Sequence, residues 1–271
     1  MNDIKKLNHA SIAIPTYNSS KYVKDCLSRL KKLKLVNEIV INDDCSKIEE
    51  FQILENEILK FKNNSNIKIK LFRNENNFGA FKNKYLNIER CSNNLVYQID
   101  SDNVPQKNLD LIINKINDVN NKNNLYFPSR IYQFKNNYKI ARSMSLFSKK
   151  YKVKFFNDDY LFDIADAVNY YKKNVNITID KHVGWILNLG NFFTFRETYL
   201  RTMSTHINTD EHPLSADALT ISYIWLLNGG KINLLKDFHH LHRKRDDSVS
   251  VTEGEGTGMA YEYYKNKYIE I

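Results

Sequence analysis

The first hundred residues alternate short apolar runs with longer segments in which apolar residues recur at helical spacing. Four runs rich in β-forming residues end in polar or turn-forming residues, at 10–18, 37–46, 67–74 and 94–100. The segments between them have apolar positions three or four residues apart, at 19–33, 47–62 and 79–91. This alternation predicts right-handed crossovers and a parallel sheet with helices on both faces.

Polar side chains follow each predicted strand. In open parallel sheets, ligands bind beyond the carboxyl ends of the strands, so we expect these side chains to face one crevice. The set consists of Thr16, Tyr17, Asn18, Asp43, Asp44, Ser46, Arg73, Asn74, Asp100 and Asp102. Asp100 and Asp102 supply carboxylate oxygens, which can hold a hard divalent cation against phosphates.

Composition fits a globular protein with a sizeable core. The chain has 271 residues, of which 42% are hydrophobic and 13% aromatic, enough for one large domain. No apolar stretch approaches the roughly 18 residues that span a bilayer, and the N-terminus lacks a secretion signal, so we expect a cytoplasmic location. Cys26, Cys45 and Cys91 lack metal-like spacing and are expected to be reduced thiols.

Charge leaves several kinds of partner open. The net charge is +9, but the lysines are spread along the chain and form no dense basic motif, which disfavours nucleic acid as a partner. A diffuse positive field also suits phosphate-bearing substrates or peripheral contact with an anionic membrane. The chain has eight glycines and neither GxxxxGK[ST] nor GxGxxG, so a metal held by the Asp pair would have to neutralise nucleotide phosphates.

Four segments in order resemble the inverting family 2 glycosyltransferases of GT-A fold: "IAIPTYN", "EIVINDDCS", "RNENNFGAFKN" and "LVYQIDSDNVP", the last with a DxD motif. The resemblance implies a Rossmann-like mixed sheet flanked by helices. It places a nucleotide-sugar-binding half at about 8–105, an acceptor half at about 106–250 and a C-terminal tail at 251–271.

The same resemblance implies a function in polysaccharide biosynthesis. The enzyme would be of the hexosyltransferase type and would need a metal. It would move a sugar from a nucleoside diphosphate sugar to a hydroxyl of a glycan or lipid-linked glycan, with inversion at the anomeric carbon.

The resemblance assigns the base of the donor to two segments. Pro15, Thr16 and Tyr17 would border the base, and Asp43 or Asp44 would accept its imide hydrogen. That contact suits uracil and favours a UDP-sugar. Thymine carries the same imide, so dTDP stays open.

For the diphosphate and the metal, the resemblance again points to particular residues. Asp100 would lie near the ribose and the metal, with Ser101 beside it in the donor site, and Asp102 would ligate Mn²⁺ or Mg²⁺ between the two phosphates. Lys82 stands where the family often has arginine and would contact the diphosphate. His242 would complete the metal site or touch the diphosphate, ahead of His240, which shares its face of a strand.

The second half resembles the family in two further segments. "GWILNLGNFFTFRETYL" (184–200) would close over the donor sugar, and "EHPLSADALTISYIWLLNGGKINLL" (211–235) resembles the acidic start of a helix. Asp217 matches the second acid of that start, whereas Ala216 occupies the usual Glu position. Asp217 is therefore the candidate general base for the acceptor hydroxyl, with Glu211 and Asp210 as the next acids to consider.

Structural interpretations of the same residues remain open. Asp43, Asp44 and Ser46 are residue types that cap a following helix, and "DSDNVP" is typical of a turn. Asp217 is an acid at a predicted helix start, where capping and the helix dipole both favour an acid. The aromatic and lysine-rich stretch 125–182 suits either acceptor binding or ordinary packing.

Two other functions compete with glycosyl transfer. "DSDNV" resembles the D-x-D-x-[TV] signature of haloacid-dehalogenase-type phosphohydrolases, in which Asp100 would be a covalent nucleophile. That signature normally follows the first strand of its domain, whereas here three strand and helix units come first. Charge alone favours a basic nucleic-acid-binding protein, although its usual aromatic or recognition-helix motifs are lacking.

Overall fold

The computed structural model describes residues 9–135, 152–154, 158–172, 183–208, 216–245 and 254–271. Much of the predicted aromatic stretch, together with Asp210 and Glu211, lies outside these residues. Among the residues described, we find no helix with the length and apolar character needed to span a bilayer.

The described strands form one sheet and are numbered along the chain. They are β1 (Ala10–Thr16), β2 (Val36–Asp43), β3 (Lys68–Arg73), β4 (Leu95–Gln98), β5 (Val104–Pro105), β6 (Asn124–Lys135), β7 (Lys152–Lys154), β8 (Tyr160–Phe162), β9 (Phe192–Phe195) and β10 (Lys231–Lys244). The longer helices of the described residues are Ser20–Leu30, Ile48–Lys62, Ala80–Glu89, Leu109–Val119, Ile164–Tyr171, Arg196–Met203, Asp217–Leu227 and Gly254–Glu270.

The sheet has a parallel half and a mixed half. Its order is β3, β2, β1, β4, β9, β6, β10, β5, and the first four of these are mutually parallel. β9 runs antiparallel to β4 and β6, while β10 pairs in parallel with β6. The predicted mixed sheet, with its parallel first half, is confirmed.

Helices cover both faces of the sheet, as the alternation predicted. Because successive strand residues point to opposite faces, Ile12 and Ile14 of β1 pack with helices Ser20–Leu30 and Ile48–Lys62. Ala13 lies in the other core, with helix Ala80–Glu89. Neighbours in the chain thus contribute to two separate hydrophobic layers.

The predicted C-terminal tail at 251–271 contains a helix. It spans 17 residues, Gly254–Glu270. Ala260, Tyr264 and Tyr268 are buried in the same core as helix Asp217–Leu227, and Tyr268 stacks on Tyr171 with ring centroids 5.3 Å apart. The helix is therefore packed against the face that carries the candidate base.

Candidate active site

The first three strands end level with one another. Thr16 pairs with Asp43, and Asp43 pairs with Arg73, at the carboxyl ends of β1, β2 and β3. Beyond these ends, the backbone N–H of Asp44 donates to the carbonyl of Thr16 at 2.9 Å, and that of Asn74 donates to the carbonyl of Asp43 at 2.8 Å. The polar residues that follow the strands are thus held along one edge of the sheet.

Asp43 is fully buried and engaged by its neighbours. Its carboxylate accepts hydrogen bonds from the backbone N–H of Ser46 at 3.1 Å and from the Ser46 hydroxyl. The Nε atom of Arg73 lies 3.6 Å from its Oδ2 atom. These contacts fix the loop between β2 and the next helix.

Asp44 is equally enclosed. Its Oδ1 atom accepts from Asn74 Nδ2 at 2.8 Å and from the Phe78 backbone at 3.0 Å, and Oδ2 accepts from the Gly79 backbone at 2.9 Å. Burial raises the pKa of Asp44, and these donors oppose the rise. The carboxylates of Asp43 and Asp44 each still have one oxygen that accepts a single hydrogen bond, so burial and not a lack of lone pairs stands between these acids and a base imide hydrogen.

The helix-cap interpretation of Asp43, Asp44 and Ser46 is wrong. The residue at the cap position of helix Ile48–Lys62 is Lys47, and Asn18, not one of these three residues, accepts from its backbone N–H at 2.9 Å. The Asp43 carboxylate instead accepts a hydrogen bond from the Ser46 backbone, in the loop before the helix.

The remaining residues predicted to border the base form a row of hydroxyl groups. Thr16 Oγ1 lies 3.0 Å from Ser19 Oγ, which lies 2.7 Å from Ser101 Oγ. Thr16, Ser19 and Ser101 are buried, as is Pro15, whereas Tyr17 is exposed. The row joins the loop after β1 to the Asp100–Asp102 segment. That segment is a turn, in which the backbone N–H of Asn103 donates to the carbonyl of Asp100 at 3.0 Å.

A buried lysine bridges two of the predicted acids. Lys84 Nζ lies 2.8 Å from Asp100 Oδ1 and 2.5 Å from Asp217 Oδ2. Its side chain is 5% exposed, and that of Asp217 is 19% exposed. The contact brings the end of β4, helix Ala80–Glu89 and the start of helix Asp217–Leu227 to one point.

Lys84 and Asp100 shift each other's pKa values, and the charge of Asp217 shifts both. Burial by itself lowers the pKa of Lys84, but Asp100 and Asp217 outweigh it and raise that pKa above its ordinary value. Burial raises the pKa of Asp100; Lys84 lowers it, and the charges of Asp217 and Asp102 raise it further. The lysine is therefore held as an ammonium between two acids.

Asp217 begins its helix but does not cap it. The cap position is Ala216, and no side-chain hydrogen bond from the described residues closes that end. A cap-only role for Asp217 is therefore wrong, because its carboxylate pairs with Lys84 instead. Its position in the first turn still places its charge where the helix dipole favours an acid.

Asp102 faces the basic end of β10. Arg245 Nε lies 3.4 Å from Asp102 Oδ2, and Arg243 Nε donates to the Asp102 carbonyl at 3.1 Å. Arg243 also pairs with Asp25 at 2.6 Å, which anchors this end of the strand to helix Ser20–Leu30. Sequence reasoning did not give Arg245 a role.

His242 lies within electrostatic reach of Asp102. Burial lowers the pKa of His242, and the charge of Asp102 opposes that shift. The neutral imidazole that burial favours is the form that binds metals. The side chain of His240 lies outside the described residues.

The acids of this site suit a cation that the substrate helps to hold. Among the residues described, no group of three or more His, Cys, Asp or Glu could hold a metal ion. Asp102 nevertheless offers a partly exposed carboxylate. Mg²⁺ sites commonly use one or two carboxylates, with the remaining ligands from substrate phosphates and water. The donor set fits that type of site and not a closed protein cage.

Lys82 makes different contacts from those of Lys84. Its Nζ atom donates to Asn208 Oδ1 at 3.1 Å and lies 4.8 Å from the centre of the Phe78 ring. The cation that the structure brings to both Asp100 and Asp217 is Lys84, which sequence reasoning missed. A signal was present, because Lys84 lies one helical turn before the buried Ile88 and so falls on the inward face.

The segment 184–200, predicted to close over the donor, contacts both Asp100 and Lys84. Asn191 Oδ1 accepts from the Asp100 backbone N–H at 2.7 Å, and the Gly190 carbonyl accepts from Lys84 Nζ at 3.4 Å. A Cβ atom at position 190 would lie 2.7 Å from Lys84 Nζ and 2.9 Å from Asp100 Oδ2. Only a glycine lets the backbone approach so closely.

Together these features define an α/β protein with an acidic site at the carboxyl edge of a parallel half-sheet. Residues 11–180 match the sequence profile of glycosyl transferase family 2, so the chain belongs to this family. The predicted family is thereby confirmed, and the phosphohydrolase and nucleic-acid-binding alternatives lose their support.

A curated relative matches part of the chain. Over 100 residues, the chain is 33% identical to poly(ribitol-phosphate) beta-N-acetylglucosaminyltransferase TarS of Staphylococcus aureus (strain Mu50 / ATCC 700699). The match covers 36% of this chain and 17% of TarS. The chain thus spans about a sixth of the length of this relative.

Solved structures show the same fold. Residues 1–349 of S. aureus TarS in complex with UDP-GlcNAc superpose with a TM-score of 0.61 at 19% identity, covering 96% of this chain and 70% of that one. The mannosyltransferase PcManGT from Pyrobaculum calidifontis, in complex with GDP-Man and Mn²⁺, gives 0.53 at 10% identity, covering 90% and 59%. The predicted GT-A fold is confirmed.

Proposed function

We propose that the protein is an inverting, metal-dependent glycosyltransferase that uses a nucleoside diphosphate sugar, with uridine as the favoured nucleoside. The observation that carries the proposal is the contact of Lys84 with both Asp100 and Asp217. The contact supports the proposal because Asp100, from the predicted donor half, and Asp217, the candidate base, share one cation. The division into halves at about 8–105 and 106–250 stays a prediction.

Asp217 supplies the base that the reaction needs. An acceptor hydroxyl has a pKa far above 7, so its proton must leave as its oxygen bonds to the anomeric carbon. Asp217 accepts that proton, and the bond between the anomeric carbon and the diphosphate breaks with its electron pair on the diphosphate. A single displacement of this kind inverts the anomeric configuration.

The diphosphate end of the donor belongs beside Asp102. Mn²⁺ or Mg²⁺, when bound there, would neutralise charge on the leaving diphosphate. Asp102 would ligate the cation, with Asp100 and His242 beside it. Arg245 is close enough to Asp102 to contact a phosphate at the same place.

UDP-N-acetylglucosamine is the first donor to test. The S. aureus TarS structure holds UDP-GlcNAc, and an Asp accepting an imide hydrogen suits uracil. Tyr17 is the exposed side chain in the segment assigned to the base. Because Asp43 and Asp44 are buried, their exposure to the base on nucleotide binding is part of the proposal.

The acceptor we propose is a hydroxyl of a glycan or of a lipid-linked glycan in polysaccharide biosynthesis. TarS is named for poly(ribitol-phosphate), and a net charge of +9 also suits an acceptor that carries phosphates. An acceptor on a lipid carrier would bring the protein to the cytoplasmic surface of a membrane.

Calorimetric titration tests the donor site. UDP is titrated into the protein with and without Mn²⁺, followed by dTDP and GDP under the same conditions. We expect metal-dependent heat with UDP. The absence of metal-dependent heat with every nucleoside diphosphate would contradict the proposed function.

A panel of nucleotide sugars, assayed for nucleotide release, then identifies the donor. We expect the uridine sugars, with UDP-N-acetylglucosamine first, to be hydrolysed fastest. A clear preference for a guanosine donor would overturn the base assignment while leaving the transfer reaction in place.

A further inference from the structure

Lys84 is an unusual lysine in this protein. Lysine is rarely buried unless it is paired, because removing an ammonium from water costs several kcal/mol. Lys84 is 5% exposed, and it lies between two acids that belong to different parts of the chain. In the proposed reaction Asp217 is the base and Asp102 ligates the metal, and Lys84 has no assigned role.

We propose that Lys84 is a positioning residue for the transfer reaction, which fixes the carboxylate of Asp217 toward the acceptor and ties it to Asp100 on the donor side. This inference rests on the proposed function, in which Asp217 is the base. It adds a component that the sequence motifs of the resemblance do not include.

The ammonium group is fixed by three acceptors. It has three N–H donors. It forms ion pairs with Asp100 Oδ1 at 2.8 Å and Asp217 Oδ2 at 2.5 Å, and it donates a hydrogen bond to the Gly190 carbonyl at 3.4 Å. They come from the end of β4, the start of a helix and the loop before β9. A group held from three directions acts through its neighbours and does not swing out to bind substrate.

Asp217 depends on this contact for its orientation. Among the residues described, the buried Oδ2 atom of Asp217 has no hydrogen-bond partner, and it is held by its ion pair with Lys84 at 2.5 Å. The ion pair engages one of its oxygens, Oδ2, and the carboxylate has a second oxygen with which to accept a proton. Lys84 thus sets the direction in which that second oxygen points.

Asp100 connects the same lysine to the donor side. Lys84 places one positive charge between the carboxylates of Asp100 and Asp217 and so offsets one of their two negative charges. Without it, two carboxylates at a shared site would repel each other and move apart. The expected consequence is a misdirected base next to a donor site that still binds nucleotide.

The test variant is Lys84→Met, which keeps an unbranched chain and removes the charge. The matched control is Lys60→Met, which removes an exposed lysine from an ion pair with Glu57 on helix Ile48–Lys62. Release of UDP from UDP-N-acetylglucosamine, or from the donor that the panel selects, gives kcat and the donor KM. Calorimetry gives the affinity for UDP with Mn²⁺, and circular dichroism checks the fold.

We expect Lys84→Met to lower kcat about 10²-fold, the usual effect of a reacting group displaced by about 1 Å. The donor KM and the UDP affinity should stay close to those of Lys60→Met. If Lys84→Met does not fold, Lys84→Gln, which keeps N–H donors and removes the charge, is measured in the same way. Turnover equal to that of Lys60→Met in a folded variant would overturn the inference.

A double-mutant cycle separates positioning from general damage. If Lys84 acts through Asp217, adding Lys84→Met to Asp217→Asn should cause little further loss of kcat. An equally large loss in both backgrounds would overturn the inference. If Asp217→Asn alone turns over normally, the proposed base fails; if it is inactive and Lys84→Met is not, only the role of Lys84 fails.

Discussion

Acids with the same chemistry occupy three different environments at the edge of this sheet. Asp44 is buried and enclosed by N–H donors, Asp100 and Asp217 are partly exposed and share an ammonium, and Asp102, also partly exposed, lies beside Arg245. Because environment decides what a carboxylate can do, enclosed acids stabilise loops and open ones are available to a substrate or a cation.

Asp217→Asn tests the base directly. Because the change removes the proton acceptor and leaves the donor site unaltered, we expect transfer to fall by roughly 10²- to 10⁴-fold with nearly unchanged UDP and metal affinity. Asp158→Asn, which alters an exposed acid, serves as the control. Near-normal turnover in Asp217→Asn, measured by UDP release, would refute the assignment.

Asp102→Asn tests the metal site. The change replaces a charged oxygen ligand by a neutral amide, so metal-dependent UDP binding should weaken first, with turnover falling as a result. Titrations with and without Mn²⁺, and after treatment with a chelator, measure the effect. Equal UDP affinity in the presence and absence of metal, for both the parent and the variant, would show that Asp102 holds no cation.

Gly190→Ala tests the close approach of the Gly190 backbone to Lys84 and Asp100. The added Cβ would lie 2.7 Å from Lys84 Nζ and 2.9 Å from Asp100 Oδ2, so the ion pair must shift. We expect a clear loss of turnover. Gly258→Ala is the control, because a Cβ at position 258 meets nothing within 4 Å, and its turnover should match that of the parent. Equal kcat in the two variants would contradict the expected strain.

At the scale of whole elements, the C-terminal helix is part of the core and supports the helix that carries Asp217. The hydroxyl groups of Tyr264 and Thr220 lie 2.6 Å apart, and Tyr223 contacts both Tyr264 and Tyr268. Helix Asp217–Leu227, which carries the candidate base, is therefore packed against helix Gly254–Glu270.

Tyr268→Ala measures this support. Tyr268 is fully buried and stacks on Tyr171, so removing its ring should lower the free energy of unfolding by about 3 kcal/mol or more. Met259→Ala, on an exposed position of the same helix, should change stability little. Denaturant unfolding compares the two. Equal midpoints would mean that the helix adds nothing to the stability of the core.

At the scale of the whole molecule, the net charge of +9 is the dominant feature. A diffuse positive charge attracts anionic surfaces at low salt and is screened as the ionic strength rises. This property would suit an enzyme whose acceptor is phosphate-bearing or lipid-linked.

Sedimentation with lipid vesicles tests that property. We expect the protein to bind vesicles containing anionic lipid at low salt, to be released at about 0.5 M salt, where screening is short-ranged, and to ignore neutral vesicles. A protein that ignores anionic vesicles at low salt would contradict the proposed membrane contact.

Much of the first half could be predicted because its signals are local. Apolar spacing of two residues or of three to four residues reports directly on strands and helices, so the four parallel strands and their helices were predicted with nearly correct limits. The ordered motifs at the strand ends also identified the family. The second half was harder, because the pairing of β9, β6 and β10 depends on contacts between residues far apart in the chain.

The sequence by itself determined the order of elements, the acids at the strand ends and the family. Tertiary structure alone decided which cation meets those acids. Lys82 and Lys84 differ by two positions, or about 200° around a helix, so one reaches Asn208 and the other lies buried between Asp100 and Asp217. Periodicity shows which face of a helix turns inward, but only the packing of distant segments determines which charges that face meets.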